Sequence, residues 1–115
     1  MKYEVITTDS FEKAAKPLLN KYPSLKNELA QLENDLQTNP RMGTALGKNT
    51  FKIRLAISIK GKGKSGGARV ITHLELNLEV EEESTDIFLL TIYDKSVAEN
   101  ITDKELEILI KERNK

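Results

Sequence analysis

The sequence contains one strictly alternating stretch, Phe51-Lys52-Ile53-Arg54-Leu55-Ala56-Ile57-Ser58-Ile59-Lys60, in which apolar residues occupy every second position. A period of two is typical of a β-strand that buries one face and exposes the other. The pattern therefore predicts a strand from Phe51 to Lys60. Its apolar side chains point to the core, and its opposite face carries three cations, Lys52, Arg54 and Lys60.

Downstream of this stretch, two more strands are predicted. A basic, glycine-rich loop at residues 61–67 leads into a strand from Ala68 to Val80, and the glutamates near 81–83 form a turn with Ser84. Asp86 to Tyr93 is apolar on both faces, which indicates a strand in the centre of the sheet. The second strand is expected to place Val70, Leu74, Leu76, Leu78 and Val80 on one face and Arg69, Ile71 and His73 on the other.

Upstream, residues 2–7 are predicted to form a short strand that precedes two helices. Asp9-Ser10 is an expected N-cap of the first helix, and Pro17 is expected to kink or break it. Leucines at positions 25, 29, 32 and 36 form a stripe that indicates a second helix, which Asn39-Pro40 ends. Gly43 and Gly47 indicate a loop.

A terminal helix is predicted after Thr102-Asp103-Lys104-Glu105, which has the pattern of a capping box. Its Leu106, Leu109 and Ile110 are expected to point inward. The order of elements is strand, two helices, an antiparallel meander and a last helix. This order predicts an α+β fold in one domain spanning residues 1–115.

Composition excludes several kinds of chemistry. The 115 residues include no cysteine and one histidine, His73, so a disulfide framework, a thiolate nucleophile and zinc sites built on Cys or several His are excluded. We expect no metal and no cofactor. We interpret His73 as a sheet-face imidazole with a local hydrogen bond. No apolar run approaches the ~20 residues of a membrane span, and the N-terminus lacks the apolar region of a secretory signal. The expectation is a soluble, cytoplasmic protein without membrane contact.

Charge is unevenly distributed although the formal net charge is zero. No acidic residue occurs between Asp35 and Glu75, and acidic residues are then concentrated from Glu75 to Asp86. Such asymmetry is consistent with an anionic partner, or with a solvated basic loop beside a solvated acidic hairpin. The acid-free interval contains eight bases: Arg41, Lys48, Lys52, Arg54, Lys60, Lys62, Lys64 and Arg69.

A cluster of cations can cleave RNA because the 2′-hydroxyl group of the RNA is an internal nucleophile. The protein must remove the 2′ proton, stabilise negative charge on the phosphorane and protonate the departing 5′ oxygen. A lysine whose pKa is lowered by neighbouring positive charges can act as the base, and arginine binds phosphate oxygens with its planar fork. The less favoured alternative is glycosidase chemistry, for which residues 75–86 would have to supply the paired carboxylates.

The sequence resembles the RelE/ParE toxin superfamily, and within it the HigB-like branch of type II toxin–antitoxin toxins. The resemblance spans essentially the whole chain and rests on residues 51–55, on Lys64-Ser65-Gly66-Gly67-Ala68-Arg69-Val70-Ile71, and on Phe88 to Lys95 followed by Glu99-Asn100 and a final helix. It implies a small RelE-like fold with a curved antiparallel sheet packed against two N-terminal helices. It also implies a ribosome-dependent mRNA endoribonuclease whose partners are a cognate antitoxin, the ribosome and mRNA.

The resemblance also implies roles for individual residues. Lys52 and Arg54 match a pair of basic strand residues with base and charge-stabilising roles, and Arg69 matches an arginine that contacts the scissile phosphate. Lys95 matches a basic residue that serves as general acid, and Tyr93 matches a tyrosine of the branch that can position a base. We further predict RNA-binding roles for Lys48, Lys60, Lys62 and Lys64.

Two other functions remain open for the same fold. The chain can be a binding module that inhibits another target, as ParE-type proteins inhibit DNA gyrase. It can also be a catalytically inactive member that acts as an antitoxin-bound regulator.

Overall fold

The architecture is known from a computed structural model, which describes residues 2–61, 63, 66–77, 84–98 and 100–113. The described residues form five strands and three α-helices, which confirms the predicted α+β class. None of the helices in this part of the chain is long and apolar enough to cross a membrane. The elements are β1 (Lys2–Thr7), α1 (Asp9–Lys21), α2 (Leu25–Thr38), β2 (Thr44–Gly47), β3 (Thr50–Leu55), β4 (Ala68–Asn77), β5 (Ser84–Asp94) and α3 (Asp103–Lys111).

The strands form one sheet in the order β1-β5-β4-β3-β2. Neighbours from β2 to β5 pair antiparallel, whereas β1 pairs parallel with β5. The sheet is therefore mixed, and the antiparallel sheet that the resemblance implies is wrong for the pairing of β1 with β5. Parallel neighbours need a long crossover connection, which the chain from α1 to β4 provides here. The predicted central position of the third strand is confirmed, because β5 lies between β1 and β4.

Each face of the sheet is covered by helices. On one face, α1 and α2 pack over Val70 and Ile87, with the leucine stripe of α2 contributing buried Leu25, Leu32 and Leu36. On the other face, Leu106 of α3 packs in a smaller cluster with Ile71, Phe88 and Leu90. Burial on both faces explains why β5 carries apolar residues at consecutive positions.

A β-bulge interrupts the pairing of β4 with β5. Ile71 lies opposite Thr91, but the next residue of β4, Thr72, lies opposite Leu89, so that Leu90 is an extra residue. Leu90 packs in the α3-side cluster, while Leu89 belongs to the core under α1 and α2. Because of this extra residue, Leu89 before the bulge and Ile92 after it both face the core under α1 and α2, while Leu90 faces α3.

The start of α1 differs from the prediction. Thr8, not Asp9-Ser10, is the N-cap, and its hydroxyl oxygen accepts a hydrogen bond from the Phe11 N–H at 3.1 Å. The same hydroxyl donates to the Leu89 carbonyl at 2.9 Å, which joins the helix to β5. The expected break at Pro17 is absent, since one helix continues from Asp9 to Lys21. Pro17 is exposed, so its ring occupies the solvent side of α1.

The strand predicted from Phe51 to Lys60 ends earlier, at Leu55. Residues Ser58–Lys60 form a turn of 3₁₀ helix instead, and Ile59 is 61% exposed rather than inward. The carboxylate of Glu28 on α2 accepts hydrogen bonds from the N–H and the hydroxyl of Ser58, both at 2.6 Å. This contact draws the chain toward α2 and away from the sheet.

Two further boundaries differ from the sequence pattern. The segment bounded by Gly43 and Gly47, expected to be a loop, contains the edge strand β2. The predicted second strand is observed as Ala68–Asn77, and Leu76 is 52% exposed instead of buried. The remaining positions of that prediction, Leu78, Val80 and the glutamate turn 81–83, lie outside the described residues.

Candidate functional site

Three of the predicted site residues form one row across the three inner strands β3, β4 and β5, close to the end of the sheet where β3 and β5 end. Arg54 of β3 lies directly opposite Arg69 of β4, and Arg69 lies directly opposite Tyr93 of β5. Residues that face each other in an antiparallel ladder share a face and have closely spaced Cβ atoms. Arg54, Arg69 and Tyr93, called the central row below, therefore lie together on the face that α3 partly covers.

Lys52 lies beside the central row. It is two residues before Arg54 and opposite Ile71, a member of the α3-side cluster, so it shares the face of the row. Its Nζ donates a hydrogen bond to the Asn100 Oδ1 at 2.9 Å. This contact links the start of the basic strand to the segment that leads into α3. Sequence reasoning placed Lys52 correctly, but nothing in the spacing pointed to Asn100 as its partner.

Arg69 is buried, with 1% of its surface exposed. It lies on the predicted face with Ile71 and His73, and that part of the face is buried. Its Nη1 donates to the carbonyl of Ala68 at 3.1 Å. The neighbours on the row differ in exposure, because Arg54 is exposed and Tyr93 is half-buried. A ligand that approaches this face meets Arg54 first, while Arg69 contributes a fixed positive charge beneath the surface.

Lys95 lies at the same end of the sheet as the central row. Its N–H donates to the carbonyl of Gly67 at 3.0 Å, and Gly67 is two residues before Arg69 in the chain. A side chain at Gly67 would collide with the Leu55 carbonyl, because a Cβ there would lie 2.0 Å from that oxygen. Glycine thus allows residue 67 to pass close to the end of β3, while its carbonyl holds the backbone of Lys95. The side chain of Lys95 is exposed.

Lys60 does not join these cations. Its Nζ lies 2.8 Å from the Asp94 Oδ1 and 5.5 Å from the centre of the Tyr22 ring. Asp94 pairs with Ala68, which belongs to the core under α1 and α2, so Lys60 is on the opposite side of the sheet from Lys52 and Arg54. The prediction that the three cations share a face is wrong for Lys60, since the strand ends before it.

Asp94 holds a dense set of hydrogen bonds. Its carboxylate accepts from Lys60, from the N–H and hydroxyl of Ser96, and from the Tyr22 hydroxyl at 2.9 Å. Burial by itself raises the pKa of this carboxyl, but the hydrogen bonds outweigh burial and hold the pKa well below its usual range. The Lys60–Asp94 pair therefore fastens the loop after β3 to the end of β5.

Of the other predicted RNA-binding lysines, only Lys48 lies in the described part of the chain. Its Nζ is 2.5 Å from the Glu107 Oε1 on α3, and both side chains are more than half exposed. The hydrogen bond from Lys48 lowers the pKa of Glu107. Lys62 and Lys64 lie outside the described residues.

His73 occupies the far end of the same face. It is 7% exposed, its ring stacks on Phe88 with 6.5 Å between centroids, and its Nε2 lies 3.3 Å from the Glu75 Oε2. Glu75 also accepts a hydrogen bond from the Arg113 Nη2 at 2.8 Å. Burial and the positive charge of Arg113 lower the pKa of His73. The sheet-face position of His73 is as interpreted, but among the described residues its buried Nδ1 has no hydrogen-bond partner, so the expected local hydrogen bond is not observed at that atom.

A cavity of about 340 Å³ opens beside the central row, between α3, β5 and the segment that joins them. Tyr93 lines it together with Thr91 of β5, Asn100 of the joining segment and Glu105 of α3. The sequence does not predict this cavity, because its shape depends on how α3 packs against the sheet. In the described part of the chain, no group of three or more His, Cys, Asp or Glu side chains is placed to hold a metal ion.

Comparison of the chain with family models, curated proteins and solved structures finds no match.

Proposed function

We propose that the protein is the toxin of a type II toxin–antitoxin system, with a RelE-like fold and ribosome-dependent mRNA endoribonuclease activity. The observation that carries this proposal is the central row, in which Arg54 and Arg69 stand directly opposite each other with Tyr93 next to them. Both arginines lie on the face that α3 partly covers, so two positive charges occupy neighbouring positions on one side of the sheet. Arginine forks bind the phosphate oxygens of a phosphodiester well.

The proposed chemistry is attack of the RNA 2′-oxygen on the adjacent phosphorus. Lys52 accepts the 2′ proton, Arg54 stabilises the phosphorane, and the charge of Arg69 acts from beneath it. The bond from phosphorus to the 5′ oxygen breaks, and Lys95 gives that oxygen a proton. The products are a 2′,3′-cyclic phosphate and a 5′-hydroxyl. Tyr93 positions a neighbouring base by stacking.

The burial of Arg69 favours two other candidates: a binding module of the ParE type that inhibits DNA gyrase, and a catalytically inactive, antitoxin-bound regulator. A guanidinium that is 1% exposed reaches a phosphate only when the groups that cover it move. If the central row has only a structural role, the groups that cover Arg69 do not have to move. Both of these candidates predict a protein that folds and binds its partner but does not cleave RNA.

The test is an assay of mRNA cleavage on programmed ribosomes, with gyrase supercoiling measured in parallel. Arg54→Ala is expected to slow cleavage by about 10²–10³-fold, the usual cost of removing one group that stabilises a developing charge. Lys26→Ala is the matched control, because Lys26 is an exposed cation on α2, on the other side of the sheet. Cleavage that survives Arg54→Ala, or inhibition of gyrase without cleavage, contradicts the proposal.

A further inference from the structure

The cavity between α3 and β5 has the size and surroundings of a site for a small planar ligand. Its volume of about 340 Å³ is at the lower end of the ~300–1,000 Å³ range of ligand sites. Ile101, Ile108 and Leu109 form apolar walls, and a few polar groups stand among them. Apolar walls with a small number of placed polar groups are typical of sites that bind small molecules.

The cavity shares a wall with the proposed cleavage site. Tyr93 belongs both to the central row and to the cavity lining, and Lys52 is hydrogen-bonded to Asn100, another lining residue. An RNA that places a phosphate on Arg54 therefore carries an adjacent base toward this cavity. Single-stranded RNA is commonly recognised in this way, with bases turned out, stacked on aromatic rings and hydrogen-bonded along their edges.

Two polar groups of the lining define which base edge fits. The Oδ1 of Asn100 accepts from Lys52, which leaves the amide NH₂ of Asn100 as the group that can donate to a ligand. Glu105 is held in place because its Oε1 accepts from the Thr102 hydroxyl at 2.9 Å, and its carboxylate can accept from a ligand. A base edge that pairs with both groups has a ring nitrogen or carbonyl acceptor beside an amino donor.

We propose that the cavity is a nucleobase subsite that takes a base with an exocyclic amino group, next to the scissile phosphate. This inference rests on the proposed function, since the same RNA occupies the central row and the cavity. Adenine, cytosine and guanine carry the required amino group, whereas uracil does not. The subsite therefore makes the enzyme select against uracil at one position of its target.

The experiment measures binding of short fluorescent RNAs by anisotropy. All probes are uridine oligonucleotides with 2′-O-methyl groups, which prevents cleavage, and one internal position holds uracil, adenine, cytosine, guanine or no base. The wild-type protein is expected to bind the best amino-bearing probe about 5- to 150-fold more tightly than the abasic probe, the range of one stacked base. It should also bind that probe more tightly than the all-uridine probe.

Two variants identify the cavity as the source of this preference. Glu105→Gln keeps the size of the side chain and an oxygen for Thr102, and it is expected to remove most of the preference for amino-bearing bases over uracil. Ile108→Trp fills the cavity from a position that is 46% exposed, and it should abolish the difference between base and abasic probes. Leu19→Trp is the bulky control on α1, where the exposed fraction is 36%.

The possible outcomes separate the subsite from the proposed function. If binding depends on Arg54 but is equal for all probes, the subsite proposal is wrong and the proposed function is not affected. The same holds if Ile108→Trp leaves the difference between base and abasic probes unchanged. A wild-type protein that binds none of the probes at low salt overturns both the subsite and RNA recognition by the central row. Base preference that disappears in Glu105→Gln and Ile108→Trp, and persists in Leu19→Trp, supports the subsite.

Discussion

Two arginines of the central row differ in what they contribute. Arg54 is exposed, so Arg54→Ala is expected to change the free energy of unfolding by less than about 0.5 kcal/mol. Arg69 is 1% exposed, and Arg69→Ala removes buried packing as well as charge, which is expected to cost about 1–3 kcal/mol. Urea unfolding of both variants measures the difference. Equal stability of the two variants would show that Arg69 does not support the sheet.

Acid sensitivity is expected to depend on Asp94. The folded-state pKa of Asp94 lies below its value in the unfolded chain, so its contribution to stability is present above about pH 4 and is lost as the pH falls further. Asp94→Asn leaves the half-buried Lys60 without a charged partner and is expected to cost about 1–3 kcal/mol at neutral pH. Unfolding measured between pH 7 and pH 2 should show a flatter pH dependence for Asp94→Asn. An unchanged pH profile would contradict this role.

At the level of elements, Thr8 joins α1 to the sheet. Its hydroxyl accepts from the Phe11 N–H and donates to the Leu89 carbonyl, and the residue is 2% exposed. Thr8→Ala is expected to lower the free energy of unfolding by about 1–2 kcal/mol, and Thr8→Ser should retain most of the stability. Thermal unfolding of both variants provides the measurement. A Thr8→Ser variant as unstable as Thr8→Ala would show that the methyl group, not the cap, matters.

Local periodicity predicted the existence of most elements but not all of their ends. The alternation from Phe51 continues to Lys60, yet the strand stops at Leu55 because Glu28, far away in the chain, binds Ser58. In the same way, the pairing of Lys60 with Asp94 depends on that turn and has no sequence signature. The central row was predictable in part, since alternation shows which face of its strand each of Arg54 and Arg69 occupies. The register that aligns both residues with Tyr93 is a property of the folded sheet and cannot be read from the sequence.

Over the whole molecule, the fold separates the predicted site cations by position. Lys60 is paired with Asp94 on the helix side, and Lys48 is paired with Glu107. Lys52, Arg54 and Lys95 lie at or beside the central row. Binding of a single-stranded RNA by three such cations is expected to give a slope near −2 when log affinity is plotted against log salt concentration. Anisotropy titrations between 50 and 200 mM salt measure the slope, and a flat response would show that these cations do not contact phosphates.

The central claim is that this chain cleaves mRNA by 2′-oxygen attack at the central row, and the chemistry of the RNA ends tests it most directly. Programmed ribosomes are incubated with the protein, and the ends of the cut mRNA are identified enzymatically. A 2′,3′-cyclic phosphate and a 5′-hydroxyl are expected, with Lys95→Arg retaining more activity than Lys95→Ala because arginine keeps the positive charge at the leaving group. A 5′-phosphate product, or full activity in Lys95→Ala, would contradict the account.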